Sequence, residues 1–212
     1  MGKYILFLLL LAFTETSATA GWLEEPEAVI GLSSIVMAGF PGRYYVAGDI
    51  GEVSYNQAVG SLGTQSFPNP RIFRIGGGIH NTENQFGSIT ESSEWSYSMF
   101  SDSLIDYGAM GKESLSASSI QASLIFGYPI NSKFDLTGKI GYINIKVESH
   151  SSLASTSNLN GSNSHLLFGI GMQYHINANY MVRTQVENFG RLERGGYPIK
   201  AYPISAGLVY EF

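Results

Sequence analysis

Residues Leu166–Ile176 read LLFGIGMQYHI, and this stretch decides the fold. Apolar residues occupy every second position from Leu166, and the positions between them are mostly small or polar. An alternation of period two is typical of a β-strand with one apolar face. The same pattern recurs at Tyr180–Glu187 and at Ile204–Phe212. Each segment therefore predicts a strand that is apolar outside and small or polar inside, as in a membrane-spanning β-barrel.

Five earlier segments complete the predicted strand set with weaker alternation. They are Tyr44–Gly51, Phe73–His80, Phe86–Phe100, Ser119–Tyr128 and Phe134–Tyr142. The serine-rich Phe86–Phe100 hardly alternates, and it is included because a barrel with both termini on one side needs an even strand number. After Tyr142 the phase changes, since Ile143, Ile145 and Val147 are apolar, which predicts a bulge or an exit from the membrane. The predicted fold is all-β, an eight-stranded antiparallel up-and-down transmembrane β-barrel over residues 42–212.

The connections between these strands alternate in length. Short turns rich in asparagine are predicted at Asn81–Gln85, Pro129–Lys133 and His175–Asn179. Long polar loops are predicted at Asn56–Pro70, Ser101–Ser114, His150–Asn163 and Arg191–Ala201. Outer-membrane barrels have short periplasmic turns and long extracellular loops. Aromatic residues near the short turns predict a periplasmic girdle made of Phe86, Tyr128, Phe134, Tyr174, Tyr180, Tyr210 and Phe212.

The N-terminus and the composition agree with export to the cell outer membrane of a Gram-negative envelope. Lys3, the apolar run Tyr4–Phe13 and the small residues Ala18 and Ala20 predict a signal peptide over residues 1–20. Residues 21–41 are predicted to be an N-terminal periplasmic segment whose role stays open. Only 14% of residues are charged, against about 25% in soluble proteins. The absence of cysteine excludes disulfides and thiolate metal sites, and the net charge of −5 with scattered basic residues argues against nucleic acid as a partner.

Charged residues at inward positions are the first candidate site. They are Asp49, Arg74, Lys139, Arg183 and Glu187, on four predicted strands at similar heights. Because the interior of an eight-stranded barrel is filled by side chains, these charges must be paired. We predict a lumenal ion-pair network in which Asp49 and Arg74, on adjoining strands, are partners. Structural filling of the lumen is favoured over an ion path or a gate.

Catalytic and metal chemistry have little support in the sequence. Glu148, His150 and Ser152 stand two residues apart and would line up on one strand face, without the cross-strand geometry of a catalytic triad. The four histidines are isolated, without the spacing of metal ligands: His80, His150, His165 and His175. We therefore predict no catalytic residue, no metal and no cofactor.

Two segments resemble a known family. Gly42–Gly51, GRYYVAGDIG, followed by Ser54 and Tyr55, resembles the opening strand of the OmpA-type small outer-membrane β-barrels. The ending Ala206–Phe212, AGLVYEF, resembles their C-terminal assembly signal, with Tyr210 and Phe212 at its alternate positions. The resemblance covers the barrel domain only and departs from the family pattern in the third strand. It implies eight strands, periplasmic termini and insertion by the outer-membrane assembly machinery.

The expected function is a structural or surface-interaction role in adhesion or envelope integrity. The long loops are candidate binding surfaces, since binding residues concentrate on loops held by a rigid scaffold. The expected partners are outer-membrane lipid and lipopolysaccharide, the assembly machinery and a possible host surface ligand. The alternatives are a lipid A-modifying hydrolase and a narrow solute channel.

Overall fold

A computed structural model of the chain describes residues 42–57, 69–86, 88–106, 112–151, 160–194 and 197–212. Nine antiparallel strands account for nearly all of these residues. They are β1 (Gly42–Gln57), β2 (Arg71–Phe86), β3 (Ile89–Asp106), β4 (Lys112–Pro129), β5 (Phe134–Ser151), β6 (Asn160–His175), β7 (Tyr180–Asn188), β8 (Arg191–Arg194) and β9 (Tyr197–Glu211). The predicted signal peptide and the segment 21–41 lie outside the described residues. Within the described ranges, no helix is long and apolar enough to cross a membrane.

Eight of the nine strands close into a ring. Each strand from β1 to β7 pairs with the next, β7 pairs with β9, and β9 pairs with β1. The short β8 pairs only with β9, beyond the end of β7. Between the two ladders of β9 the register changes by one residue, from Val186↔Ile204 to Arg191↔Lys200. Gly190 lies at this bulge with a φ of 79°, a backbone conformation that glycine adopts more readily than other residues. The predicted closed eight-stranded antiparallel barrel is confirmed.

The two ends of the barrel differ. At the turn end, β2 and β3 are separated by two residues in sequence, residues 130–133 join β4 to β5 and residues 176–179 join β6 to β7, and the C-terminus lies beside them. Two of the three turns fall where they are predicted, but β2 continues to Phe86, so the prediction of a turn at Asn81–Gln85 is wrong. A register shift between Asn81 and Phe86 accommodates this extension. The opposite end is called the loop end.

The predicted loops at the loop end are too long. β3 runs to Asp106, β4 begins at Lys112, β5 ends at Ser151 and β6 begins at Asn160. Strand pairing therefore continues into both ends of the segments predicted as loops at Ser101–Ser114 and His150–Asn163. The segment Arg191–Ala201 includes the β8–β9 ladder. The ends of these strands are rich in serine and asparagine and were therefore interpreted as loops. A strand in water does not need the apolar face that identifies a strand in lipid.

Side chains alternate between the lumen and the outer face. In β7 the burial pattern alternates strictly from Tyr180 to Asn188. Outer residues are apolar and exposed, as Ile170 (69%) and Ile50 (65%) show. Aromatic rings pack on one another at the turn end: Phe134–Tyr174 at 4.8 Å, Tyr180–Tyr210 at 4.9 Å and Tyr210–Phe212 at 5.1 Å between centroids. This is the sidedness that a barrel needs in lipid.

The change of phase after Tyr142 has a different cause from the predicted bulge. β5 keeps an unbroken register with both β4 and β6. Ile143 and Ile145 point into the lumen, where both are buried. The lumen itself becomes apolar at this height, so the expectation of polar or small inward residues throughout is wrong.

Candidate functional site

A cluster of charges fills the middle of the lumen. The structure brings together all five side chains predicted for this place and adds Glu94. The group, called the ion network here, is Asp49, Arg74, Glu94, Lys139, Arg183 and Glu187. Three cations meet three anions, so the network is neutral overall. Every one of these side chains is at most 4% exposed.

Arg183 holds two carboxylates. Its Nε donates to Asp49 Oδ1 at 2.8 Å and its Nη2 donates to Asp49 Oδ2 at 2.6 Å. Its Nη1 donates to Glu94 Oε2. A guanidinium presents parallel N–H groups that match a carboxylate in this two-point manner. Tyr45 adds a donor, since its hydroxyl lies 3.2 Å from Glu94 Oε2.

Glu187 forms ion pairs with the other two cations of the network, Arg74 and Lys139. Arg74 Nη2 donates to Glu187 Oε2, while Arg74 Nε donates to Ser98 Oγ at 3.1 Å. Lys139 Nζ lies 2.9 Å from Glu187 Oε1 and 3.2 Å from Glu94 Oε1. Lys139 thus links the two halves of the network. Charged groups in such a site stabilise the fold only while every partner is present.

The predicted pair of Asp49 and Arg74 is the weakest contact in the network. The two residues are direct partners in the β1–β2 ladder, as expected. Their closest approach is nevertheless 3.9 Å, from Arg74 Nη1 to Asp49 Oδ2. Because an arginine side chain is long, Arg74 reaches across the lumen to Glu187 and leaves Asp49 to Arg183. Proximity of strands alone did not identify the partners.

Glu94 is the member that sequence reasoning missed. It lies in β3, the segment whose predicted alternation was weakest, and its inward neighbours Ser96 and Ser98 are small and fully buried. The charges of the predicted residues nevertheless indicated that a member was missing. The five predicted residues comprise three cations and two anions, and a buried cation without a partner is strongly unfavourable. The excess cation therefore signalled a further inward acid without locating it, since Asp135 and Glu211 are also buried.

Inward glycines make room for these long side chains. A Cβ on Gly207 would clash with the Asp49 carboxylate and with the Gly48 carbonyl oxygen. A Cβ on Gly169 would lie 3.1 Å from Glu187 Cγ and 3.4 Å from Lys139 Cβ. The glycines that alternate with apolar residues in the sequence thus provide the volume that the ion network occupies.

An apolar layer lies in the lumen on the loop-end side of the ion network. This apolar cap consists of Val53, Ile72, Ile143, Ile145, Leu167, Phe189 and Ala201, all at most 2% exposed. The ring of Phe189 meets Phe100 edge-on, with centroids 6.2 Å apart and an interplanar angle of 83°. Ions crossing the lumen would have to lose water against this layer before they met the paired charges.

The C-terminus is fastened to the first strand at the turn end. Arg43 Nε lies 3.2 Å from Glu211 Oε1 and 3.4 Å from the Phe212 carbonyl oxygen. Tyr210 packs between the rings of Tyr180 and Phe212. The two residues of the predicted assembly signal, Tyr210 and Phe212, therefore lie at the seam where the last strand meets the first.

At the loop end, pairing among β3, β4, β5 and β6 continues beyond the last β2–β3 and β6–β7 pairs, while β1 and β8 continue to pair with β9. The last β2–β3 pair is Ile72↔Phe100 and the last β6–β7 pair is Phe168↔Asn188. Pairing among β3, β4, β5 and β6 continues well beyond that height. This protruding sheet comprises residues 101–106, 112–118, 144–151 and 160–167, and its lower part still borders the lumen, since Ile145 and Leu167 belong to the apolar cap.

Polar side chains cover the outer face of the protruding sheet. Asn144 Nδ2 donates to Ser164 Oγ at 2.8 Å, and Ser162 Oγ donates to Asn144 Oδ1 at 3.1 Å. Lys146 Nζ lies 2.8 Å from Glu148 Oε1, and its hydrogen bond to Glu148 raises the pKa of Lys146. The sheet is therefore a hydrated surface and not a continuation of the lipid-facing belt.

The histidines do not converge. His175 Nε2 lies 2.7 Å from Asp135 Oδ2, and His80 Nδ1 lies 3.1 Å from Ser92 Oγ. His165 packs on Gly190, and the side chain of His150 lies outside the described residues. In the part of the chain that the structure describes, no three His, Cys, Asp or Glu side chains form a group that could hold a metal ion.

Comparisons with known proteins agree with this architecture. The family model of the outer membrane protein β-barrel domain matches residues 5–212. Among solved structures, Ail of Yersinia pestis is 16% identical, with 81% of this chain and 100% of that chain covered and a TM-score of 0.51. The N-terminal β-barrel domain of Pseudomonas aeruginosa OprF is 11% identical, with coverages of 81% and 100% and a TM-score of 0.52.

OprG of Pseudomonas aeruginosa is 13% identical, with 82% of this chain and 97% of that chain covered and a TM-score of 0.52. At these identities the likeness shows the shared fold and nothing more. No curated protein sequence matches this chain significantly. The family match, in contrast, spans nearly the whole chain, and it agrees with the closed ring and the apolar outer face. The chain belongs to the outer membrane protein β-barrel domain family, and it is a protein of the outer membrane.

Proposed function

We propose that this protein is a non-enzymatic surface-interaction protein of the outer membrane, and that the protruding sheet binds an extended segment of a protein partner. The observation that carries the proposal is the continuation of strand pairing beyond the last β2–β3 and β6–β7 pairs, up to Asp106↔Lys112 in β3–β4 and Glu148↔Asn160 in β5–β6. Six to eight residues at about 3.3 Å each give an extension of about 20–26 Å along the strands. The loop end faces outward in outer-membrane barrels.

In the described parts of the chain, neither outer strand of the protruding sheet has a ladder partner on its far side, although Arg71 N–H donates to Ser101 Oγ beside β3 and His165 of β6 packs on Gly190 beside β8. Among the described residues, no strand pairs with β3 over residues 101–106 or with β6 over residues 160–167 on the side away from the sheet. Backbone N–H and C=O groups that lack a ladder partner at a sheet edge can pair with the main chain of another protein. Such pairing supplies affinity through the main chain of the partner, and side chains supply specificity.

The β6 edge is the better docking strand of the two. Residues 160–167 read NGSNSHLL, without a charged residue or proline, whereas residues 101–106 read SDSLID and contain two aspartates. Charges on an edge strand oppose the addition of another strand. The proposal therefore places the partner segment along β6.

The charge of the protruding sheet argues for a protein partner and against a sulfated sugar. Its four segments contain four acidic residues and two basic ones, Lys112 and Lys146. Ail, which has a similar fold, has been crystallised in complex with the heparin analogue sucrose octasulfate. A polyanion of that kind would be repelled by a surface with this balance. Heparin is accordingly expected not to bind here.

The two alternatives have less support. A solute channel would need an open lumen, and the ion network and the apolar cap occupy it at two successive heights. For a hydrolase, Glu148 should face a histidine and a serine, but its carboxylate is paired with Lys146 on the outer face of β5. Ser152 lies outside the described residues. The proposal therefore assigns the activity to the outer surface.

The hydrogen-bond pattern of β6 allows a sharp test. His175 N–H donates to the Lys133 carbonyl oxygen, and Ile176 N–H donates to the Tyr180 carbonyl oxygen. Because donors alternate along an antiparallel strand, odd-numbered residues of β6 bond to β5 and even-numbered ones point to the other side. The N–H groups of Ser162 and Ser164 therefore point to the edge of β6 that faces away from β5. Proline at these positions removes edge donors without removing a bond to β5.

Cells that display the wild-type chain are tested against an array of immobilised secreted and cell-surface proteins. They are expected to bind at least one of these proteins and not to bind immobilised heparin. The double variant Ser162→Pro/Ser164→Pro should lower this binding about tenfold or more, a loss of about 1.4 kcal/mol. The control Ser162→Thr/Ser164→Thr keeps both N–H groups and both hydroxyls and should bind normally. Heat-modifiable gel mobility verifies that each variant folds. Equal binding by the proline variant, or no capture beyond cells that lack the chain, would contradict the proposal.

A further inference from the structure

An oblique groove crosses the lipid-facing surface from the turn end toward the loop end. It has a volume of about 450 Å³ and runs over β4, β5, β6, β7 and β9. Its lower end is at Phe126, three residues from the end of β4, and its upper end is at Tyr202, ten residues from the C-terminus. Neighbouring strands lie about 4.8 Å apart, so four spacings give a length of about 19 Å. A groove of this length fits an extended acyl chain and not a compact lipid headgroup.

The floor of the groove is open because Gly138 has no side chain. A Cβ at Gly138 would meet no atom within 4 Å. The flanking ladder partners of Gly138 are Phe126 and Ile170, and the next row contains Phe168. These large side chains stand on either side of the gap that the glycine leaves. The surface is therefore indented at Gly138, between the side chains of Phe126, Ile170 and Phe168.

The upper end of the groove is polar. Asn188 and the Tyr202 ring lie there, at the outer margin of the apolar belt. Lys200 is exposed and lies two residues before Tyr202 in β9, nearer the loop end and on the same face as Tyr202. A cation beyond the polar end of an apolar groove complements a lipid whose headgroup is anionic.

We propose that this groove binds one acyl chain of lipopolysaccharide, with a phosphate of the lipid A headgroup near Lys200. The upper end lies at the margin that faces the outer leaflet, and lipopolysaccharide is the anionic lipid of that leaflet. Hydrophobic transfer contributes little here, since bulk lipid is as apolar as the groove. Binding comes from van der Waals contact along the indented floor and from attraction between the phosphate and Lys200.

The test fills the groove and leaves the rest of the lipid-facing surface unchanged. Gly138→Leu inserts a side chain into the floor. Gly48→Leu is the matched control, because Gly48 also faces lipid and a Cβ there would also meet no atom within 4 Å. Each protein is purified in detergent from outer membranes, and the retained lipid A and phosphatidylethanolamine are quantified by mass spectrometry.

Wild type and Gly48→Leu are expected to retain lipid A, while Gly138→Leu retains about fivefold less or lower still, which corresponds to about 1 kcal/mol. Lys200→Gln should also lower lipid A retention without changing phosphatidylethanolamine. Equal retention in all four proteins would overturn the proposal. So would retention of phosphatidylethanolamine alone, or an equal loss in the two glycine variants. None of these outcomes depends on the protruding sheet, so the test is independent of the proposed function.

Discussion

Replacing Glu94 with glutamine is expected to lower the free energy of unfolding by about 3–5 kcal/mol, because two buried cations lose a charged partner. Glu94 accepts from Arg183 and lies 3.2 Å from Lys139 Nζ. Glutamine has nearly the same size, so the loss reports charge and not volume. Urea unfolding in lipid vesicles, followed by tryptophan fluorescence, measures it.

A surface ion pair supplies the control for the Glu94 prediction. Glu148→Gln removes the partner of Lys146, whose side chain is 63% exposed, and it should leave stability nearly unchanged. The second variant Glu94→Gln/Lys139→Met removes one of the two orphaned cations and should recover part of the loss. If Glu94→Gln were as stable as Glu148→Gln, the ion network would not hold the lumen together.

Truncating Phe189 to alanine is expected to cost a further large amount, about 3–5 kcal/mol. Phe189 is fully buried in the apolar cap and has an edge-on contact with Phe100. Removing the ring leaves a cavity between strands that are fixed by their ladders, so the site has little freedom to collapse. The same unfolding experiment measures the effect.

The lipid-facing residue Phe73 is the matched control for Phe189. It is 47% exposed on the outer surface, where lipid can fill the space that the ring leaves. Phe73→Ala should therefore destabilise the barrel much less than Phe189→Ala. Equal costs for the two substitutions would show that the interior of the barrel above the ion network is not a packed core.

The lipid-facing belt was predictable, since water on one side and hydrocarbon on the other impose the period of two. The strands around Leu166–Ile176 and Ile204–Phe212 show this, and both occur in the structure as part of β6 and β9. Outside lipid that constraint ends. The protruding sheet has polar residues such as Asn144 and Ser162 on its outer face, so its strands resembled loops in the sequence.

The interior was predictable only in part. Inward charges had to cluster, and the five predicted ones do lie together. Their partners follow from side-chain reach across the lumen, which the sequence does not encode directly, and Glu94 was hidden by its serine neighbours. The apolar cap was missed for a related reason. Ile143 and Ile145 were interpreted as a break in the strand because the lumen was assumed to be polar at every height.

Single-channel recording in planar lipid bilayers tests the central claim most directly. The central claim is that the ion network and the apolar cap close the lumen, so that the protein acts from its outer surface. The wild-type protein is expected to insert without producing stable conductance steps. Stable, large conductance steps from the folded wild-type protein would contradict the claim.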